Sequence, residues 1–262
     1  MKFTNKQNLS TKVQRYTGFT LAEVLIVIGI IGMVANMTIP ALMNDISNVQ
    51  YVVALKKEYT VFNQALKQMA LDSGCPDDLK CVDAFTKSGF APGINISVGL
   101  ELAKYIKIAK NCGTETAQGC FASYTRMNYD KRPHAGDSNY DNMSDVFRFV
   151  SLSGASYIVK REPNHWTGAA CYNYGGLTGH LSQPCGEVYV DVNGAKPPNA
   201  MGRDTFHFYI SNGKGAMLYP YGGSEMGAGG WWDGTTKSCN SANPYGFFCT
   251  GRVIEDGWEM NY

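Results

Sequence analysis

From Phe19 to Ile39 the chain reads FTLAEVLIVIGIIGMVANMTI, 21 residues of which a single one, Glu23, is ionisable. As a helix rising about 1.5 Å per residue it reaches roughly 31 Å. That is the thickness of a bilayer's hydrocarbon core, about 30 Å. A helix apolar on every side needs either a very large core or a membrane around it. The acid is the exception to explain, because a carboxylate in hydrocarbon is costly unless paired or neutralised and by default marks a functional position.

The flanks orient the segment. Residues 1–17 carry Lys2, Lys6, Lys12 and Arg15 and no acid. An excess of cations keeps that end in the cytoplasm and sends the rest of the chain across. A secretory signal peptide also has a basic start, but its apolar core is shorter and a small-x-small cleavage site follows it. The sequence VANMT is a poor site of that kind.

Gly18-Phe19-Thr20-Leu21-Ala22-Glu23 ahead of an apolar helix resembles the processing site of the type IV pilin superfamily, the pilus subunits and the pseudopilins of type II secretion. The resemblance rests on about 25 residues. It implies a basic leader (1–18), a transmembrane and assembly helix (19–40), and cleavage between Gly18 and Phe19 by a prepilin peptidase that then N-methylates Phe19. It also implies an assembly role for Glu23 and a helix-bending one for Pro40. The implied partners are other pilin-like subunits, the peptidase, an inner-membrane assembly platform and the lipid bilayer. The implied location is the inner membrane, single-pass with the head in the periplasm, and later a pilus or pseudopilus.

The physical content of that expectation is a pair. In a bundle of such helices, Glu23 of one subunit meets the Phe19 amine of a neighbour, and two desolvation penalties cancel. Removing one partner leaves a buried charge, at a cost of about 3–5 kcal/mol. Gly29, Gly32 and Ala35 supply small positions at which helices approach closely. Pro40 removes a backbone donor. Local loss of helix between Gly32 and Pro40 is expected in a packed filament, and a continuous, gently kinked helix in the isolated subunit.

Beyond Pro40, Leu42, Ile46, Val49, Val52, Leu55, Tyr59, Phe62, Leu66 and Met69 recur every three or four residues, with Lys56, Lys57, Glu58 and Lys67 off the stripe. This predicts an amphipathic helix over 41–74 that packs on a globular head, with Gly74 as its carboxy-terminal cap. The head, residues 75–262, is rich in Gly, Tyr, Asn and Cys. DLKCVDAFTKSG and SVGLELAKYIKIAKNC have helical spacing, the latter through Leu100, Leu102, Ile106 and Ile108. VFRFVSL, ASYIVKR, EVYVDV, TFHFYIS, GAMLYP and RVIEDGWEM read as short strands between Gly- and Asn-rich turns. The expected fold is α+β, a long amino-terminal helix packed on an antiparallel sheet, which is also the pilin architecture.

Cys75, Cys81, Cys112, Cys120, Cys171, Cys185, Cys239 and Cys249 all follow the apolar span. An even number on the far side of a membrane points to disulfides. Eight cysteines allow about a hundred pairings, among which spacing favours 75–81, 112–120, 171–185 and 239–249. A zinc site is disfavoured, since no CxxC pair occurs.

In DVNGAKPPNAMGRDTFHFYI, Asp191, Asn193 and Asp204 are oxygen donors around a Gly- and Pro-rich loop, a composition calcium favours. Some pseudopilins hold calcium in a carboxy-terminal loop. The competing reading is a hairpin with Asn193-Gly194 as its turn and Asp204 bonded to loop amides.

Little else carries chemistry. Trp231 and Trp232 read as cover for the core, Asp77-Asp78 as a solvated helix start, and His134, His165, His180 and His207 are scattered. No phosphate loop, GxSxG elbow or HExxH motif occurs, so an enzyme is not expected. Without the leader's four cations, 19 basic residues face 22 acidic ones, so nucleic acid is unsupported as a partner. The expected function is structural, a minor or large pilin or pseudopilin. The alternative is a signal-anchored periplasmic binding or adhesion domain that never polymerises.

Overall fold

A computed structural model describes residues 18–86, 94–114, 119–121, 146–161, 171, 179–212, 217–229, 239 and 246–262. The leader before Gly18, His134, His165, Trp231 and Trp232 lie outside the described residues. The chain separates into two compact units, one ending at Ile46 and the other running from Ser47 to Tyr262.

Helix α1 (Leu21–Asp72) continues through Pro40. Just before the proline, the Thr38 hydroxyl donates to the Val34 carbonyl at 3.0 Å. The helix ends in a Schellman turn: Cys75 N–H donates to Ala70 O at 3.0 Å and Gly74 N–H to Leu71 O at 2.9 Å. Gly74 sits at φ +82°, a conformation that costs glycine no side-chain clash.

In the second unit, six antiparallel strands follow one another in chain order across a single sheet: β1 (Ile108–Gly113), β2 (Phe147–Ser151), β3 (Ser156–Arg161), β4 (Pro184–Asp191), β5 (Thr205–Ser211) and β6 (Leu218–Pro220). Alternation gives the sheet two different faces. Phe147, Phe149, Tyr157, Val159, Val188, Val190, Phe206, Phe208 and Ile210 point to one side, where they form one core with Leu55, Phe62, Leu66 and Met69 of α1. Each such burial contributes about 1.5–3 kcal/mol. Phe62 stacks on Tyr157 at 5.7 Å, and Leu218 N–H donates to Asn63 Oδ1 at 3.1 Å. On the other face Cys120, Phe121, Val146, Ile158, Tyr189 and Met201 make a smaller cluster.

The apolar stripe of α1 is buried only from Val52 onward, whereas Leu42, Ile46 and Val49 are exposed. The periodicity therefore overstates the packed length. The segment SVGLELAKYIKIAKNC is divided between two elements. Helix α3 (Ile94–Leu102) gives way to a turn at Ala103–Tyr105, and Ile108 opens β1. Leu100 is exposed, while Leu102 and Ile106 are buried. Pairing of β1 with β2 wins over helical spacing here. Gly99 is where α3 lies on β2, and a Cβ there would come within 2.1 Å of the Phe147 ring.

RVIEDGWEM is not a strand. Residues Cys249–Glu255 form helix α4, and Gly257 at φ +82° turns the chain out of it. Cys249 and Val253, four residues apart, share its buried face, and this spacing prevails over the apparent alternation. DLKCVDAFTKSG contains only a 3-10 turn at Leu79–Cys81 and the one-turn helix α2 (Asp83–Thr86) among its described residues.

Four disulfides close local loops: Cys75–Cys81, Cys112–Cys120, Cys171–Cys185 and Cys239–Cys249. These are the loops that spacing favours.

Candidate functional site

In the first unit, the apolar stretch from Phe19 to Ile39 carries one ionisable side chain, Glu23. Every large apolar side chain from Phe19 to Ile39 is about half exposed or more. Glu23 does not point away from its own chain. One of its carboxylate oxygens accepts from Thr20 N–H and from the Thr20 hydroxyl, both at 2.8 Å, while Glu23 N–H donates back to Thr20 Oγ1 at 3.2 Å. This is a capping box, in which a Thr at the helix start and a Glu three residues later satisfy each other's backbone donors. Thr20 was not singled out by sequence reasoning, although the T-x-x-E spacing was its signal. Gly18 and Phe19 precede the helix. A Cβ at Gly29 or Gly32 would meet nothing within 4 Å, so no intrachain contact requires glycine at either position.

The second unit holds the other candidate, at the end of the sheet where β4 turns into β5. Asp191 pairs with Thr205 in the ladder, and the connection from 192 to 204 is a long loop rather than a two-residue hairpin. Asn193-Gly194 makes only its first turn, with Gly194 N–H donating to Asp191 O at 3.3 Å. Asp204 is bonded to loop amides, as the hairpin reading expects. Its two oxygens accept from Asn199 N–H at 2.8 Å and Ala200 N–H at 2.6 Å.

Asp191 and Asp204 are both fully buried. Burial, and then the charge of Asp204, push the Asp191 carboxyl well above the usual carboxylate range. Burial raises Asp204 to about 6, against the opposing pull of the Ala200 and Asn199 amides. Asp191 Oδ1 accepts from Asn193 N–H at 3.2 Å, but Asp191 Oδ2, Asn193 Oδ1 and Thr205 Oγ1 are buried without a hydrogen-bond partner. The Tyr51 phenol of α1 faces Asn193, Asp204, Arg203 and Asp191. So the structure brings Asp191, Asn193 and Asp204 together and adds Thr205 and Tyr51, which loop composition did not reveal.

No protein-family model, curated protein or solved structure matches this chain.

Among the described residues no three His, Cys, Asp or Glu side chains converge as a metal group. A cation at the β4–β5 loop would therefore lean on hydroxyl and amide oxygens as well as the two carboxylates. The oxygen-only donor set fits a hard cation such as calcium and not zinc.

His207 lies elsewhere, on the sheet face away from α1. Its ring stacks between Tyr189 and Tyr221, each 4.1 Å away, and its Nε2 lies 3.4 Å from Glu187. Lys160 also reaches Glu187, at 3.2 Å. Burial pushes the Glu187 carboxyl up, but His207 and Lys160 together bring it down to about 2.

Proposed function

We propose that this chain is a structural subunit of the type IV pilin and type II secretion pseudopilin kind, cut between Gly18 and Phe19, N-methylated at Phe19 and drawn from the membrane into a filament through α1. One observation carries the reading: the apolar stretch Phe19–Ile39, which opens a helix long and apolar enough to cross a membrane, bears a single acid, Glu23, at the helix's first turn and five residues after the glycine of the processing motif.

The capping box gives that acid a physical history. Before assembly its carboxylate is satisfied by Thr20, which lowers the cost of carrying it in an apolar helix. On assembly the free amine of Phe19, one residue before Thr20, supplies a cation for a neighbour's Glu23. The open surroundings of Gly29 and Gly32 support the same reading, because positions that no intrachain contact needs remain available to a second helix. The head, closed by four disulfides, is the part held outside the membrane.

Amino-terminal sequencing and intact mass of the membrane-extracted protein test the proposal. The expected mature terminus is methylated Phe19, recovered also in sheared filaments. An intact Met1, or a terminus beyond Pro40, would favour an anchored periplasmic domain that never polymerises.

A further inference from the structure

The four disulfides differ in how far solvent reaches them. Cys171 and Cys185 are both buried, as are Cys239 and Cys249, and Cys112–Cys120 has one buried end, Cys120. In Cys75–Cys81, by contrast, Cys81 is exposed and Cys75 half-buried. Its separation of 6 residues is also the shortest of the four, so closing this loop removes the least freedom from the unfolded chain. The loop has anchors that do not depend on sulfur. Cys75 N–H caps α1 through Ala70 O. Leu79 N–H donates to Oδ1 of Asn212, just past β5, and Asn212 Nδ2 donates in turn to Asp78 Oδ1 at 2.8 Å. Asp78 also caps the 3-10 turn, accepting from Lys80 N–H at 2.9 Å. Leu79 and Val82, on either side of Cys81, are buried in the main core.

We propose that Cys75–Cys81 is a reversible thiol–disulfide exchange site, opened at Cys81 by a dithiol reductant while the head stays folded. Exchange needs a thiolate to reach one sulfur of the bridge, and Cys81 is the accessible one. A thiolate of the reductant attacks Cys81 Sγ and forms a mixed disulfide as the Cys75–Cys81 bond breaks. Cys75 leaves as a thiolate and takes a proton from water. The reductant's second thiolate then attacks its own sulfur in the mixed disulfide, and Cys81 leaves and is protonated in the same way. Two electrons have passed to the protein, and the reductant has become a disulfide. The Asn212 bonds, the cap on α1 and the burial of Leu79 and Val82 hold the opened loop in place. The two thiols therefore stay near each other, and a disulfide oxidant closes the bridge by the reverse steps. The site stands whether or not the chain enters a filament.

The test uses the full-length chain in detergent micelles, treated with dithiothreitol without denaturant, quenched with iodoacetamide and mapped by mass spectrometry. Cys75 and Cys81 are expected to be alkylated at least about tenfold faster than the other six cysteines. The near-ultraviolet circular dichroism of the head should persist through this phase. Transfer to oxidised glutathione should then restore the Cys75–Cys81 pairing. The double variant Cys75→Ser, Cys81→Ser should fold and lose the fast phase alone. Reduction of another bridge first, or of all four at one rate, overturns the proposal. So does loss of the near-ultraviolet signal in step with the opening of Cys75–Cys81, or a double variant that does not fold, since either would make this bridge a condition of the fold.

Discussion

The Glu23 carboxylate is held by the backbone amide and the hydroxyl of Thr20, three residues before it, so the acid is occupied within its own helix. Replacing Thr20 with Ala removes the hydroxyl from this box and is expected to cost the helix start about 1 kcal/mol. Glu23→Ala is expected to insert and be processed but to enter filaments poorly. The readouts are the mature amino terminus, for processing, and the sheared-filament fraction, for assembly. Normal filament yield from Glu23→Ala would remove the assembly role.

A second buried acid, Glu58, lies at the interface of α1 and the sheet and accepts a hydrogen bond from the Tyr157 hydroxyl. Tyr157→Phe keeps the ring stacking on Phe62 and Phe149 but leaves the carboxylate short of a donor. A loss of about 1–3 kcal/mol is expected, measured by urea unfolding in detergent. Glu58→Gln keeps an acceptor for the phenol and should cost less.

Glu187 sets a pH dependence on the opposite face. Its carboxyl is depressed to about 2 by His207 and Lys160, despite burial. A depressed carboxyl contributes stability that is present above the unfolded value near 4.5 and is lost as pH falls toward about 2. The wild type should therefore lose stability relative to Glu187→Gln as pH falls between those two values. Parallel melting curves for the two proteins across the acid range would contradict the assignment.

Gly99 is required by contact rather than by a turn. Gly99→Ala puts a methyl into the Phe147 ring, and overpacking of this kind costs about 1–3 kcal/mol. Gly32→Ala, in open surroundings, should leave subunit stability unchanged and reduce only filament recovery.

The sequence was most legible where one period dominates over many residues. Helix α1 announced itself through its apolar run and stripe, and β3, β4 and β5 through alternation with turn residues at both ends. It was least legible where short segments satisfy two periods at once. At RVIEDGWEM the buried pair Val253 and Cys249, which stands just before the segment, forms a helix face, and the alternation of Ile254, Trp258 and Met260 is incidental. In SVGLELAKYIKIAKNC a long-range pairing with β2 claims Ile108, which no local pattern encodes. The β4–β5 loop shows the same limit at a site. Asp191, Asn193 and Asp204 were visible as oxygen donors, but Thr205 reads as a strand residue and Tyr51 as a helix residue. Only the ladder register and the packing of α1 bring them to one corner.

Counted along the chain, the first cysteine is bonded to the second, the third to the fourth, the fifth to the sixth and the seventh to the eighth, over separations of 6, 8, 14 and 10 residues. A chain emerging from a membrane amino-terminal part first presents its thiols in that same order. In a chain that emerged in that direction, each pair would be complete before the following pair arrived, and sequential oxidation would yield this set without reshuffling. No covalent link joins distant elements, and holding the helix to the sheet is left entirely to contacts such as Phe62 on Tyr157.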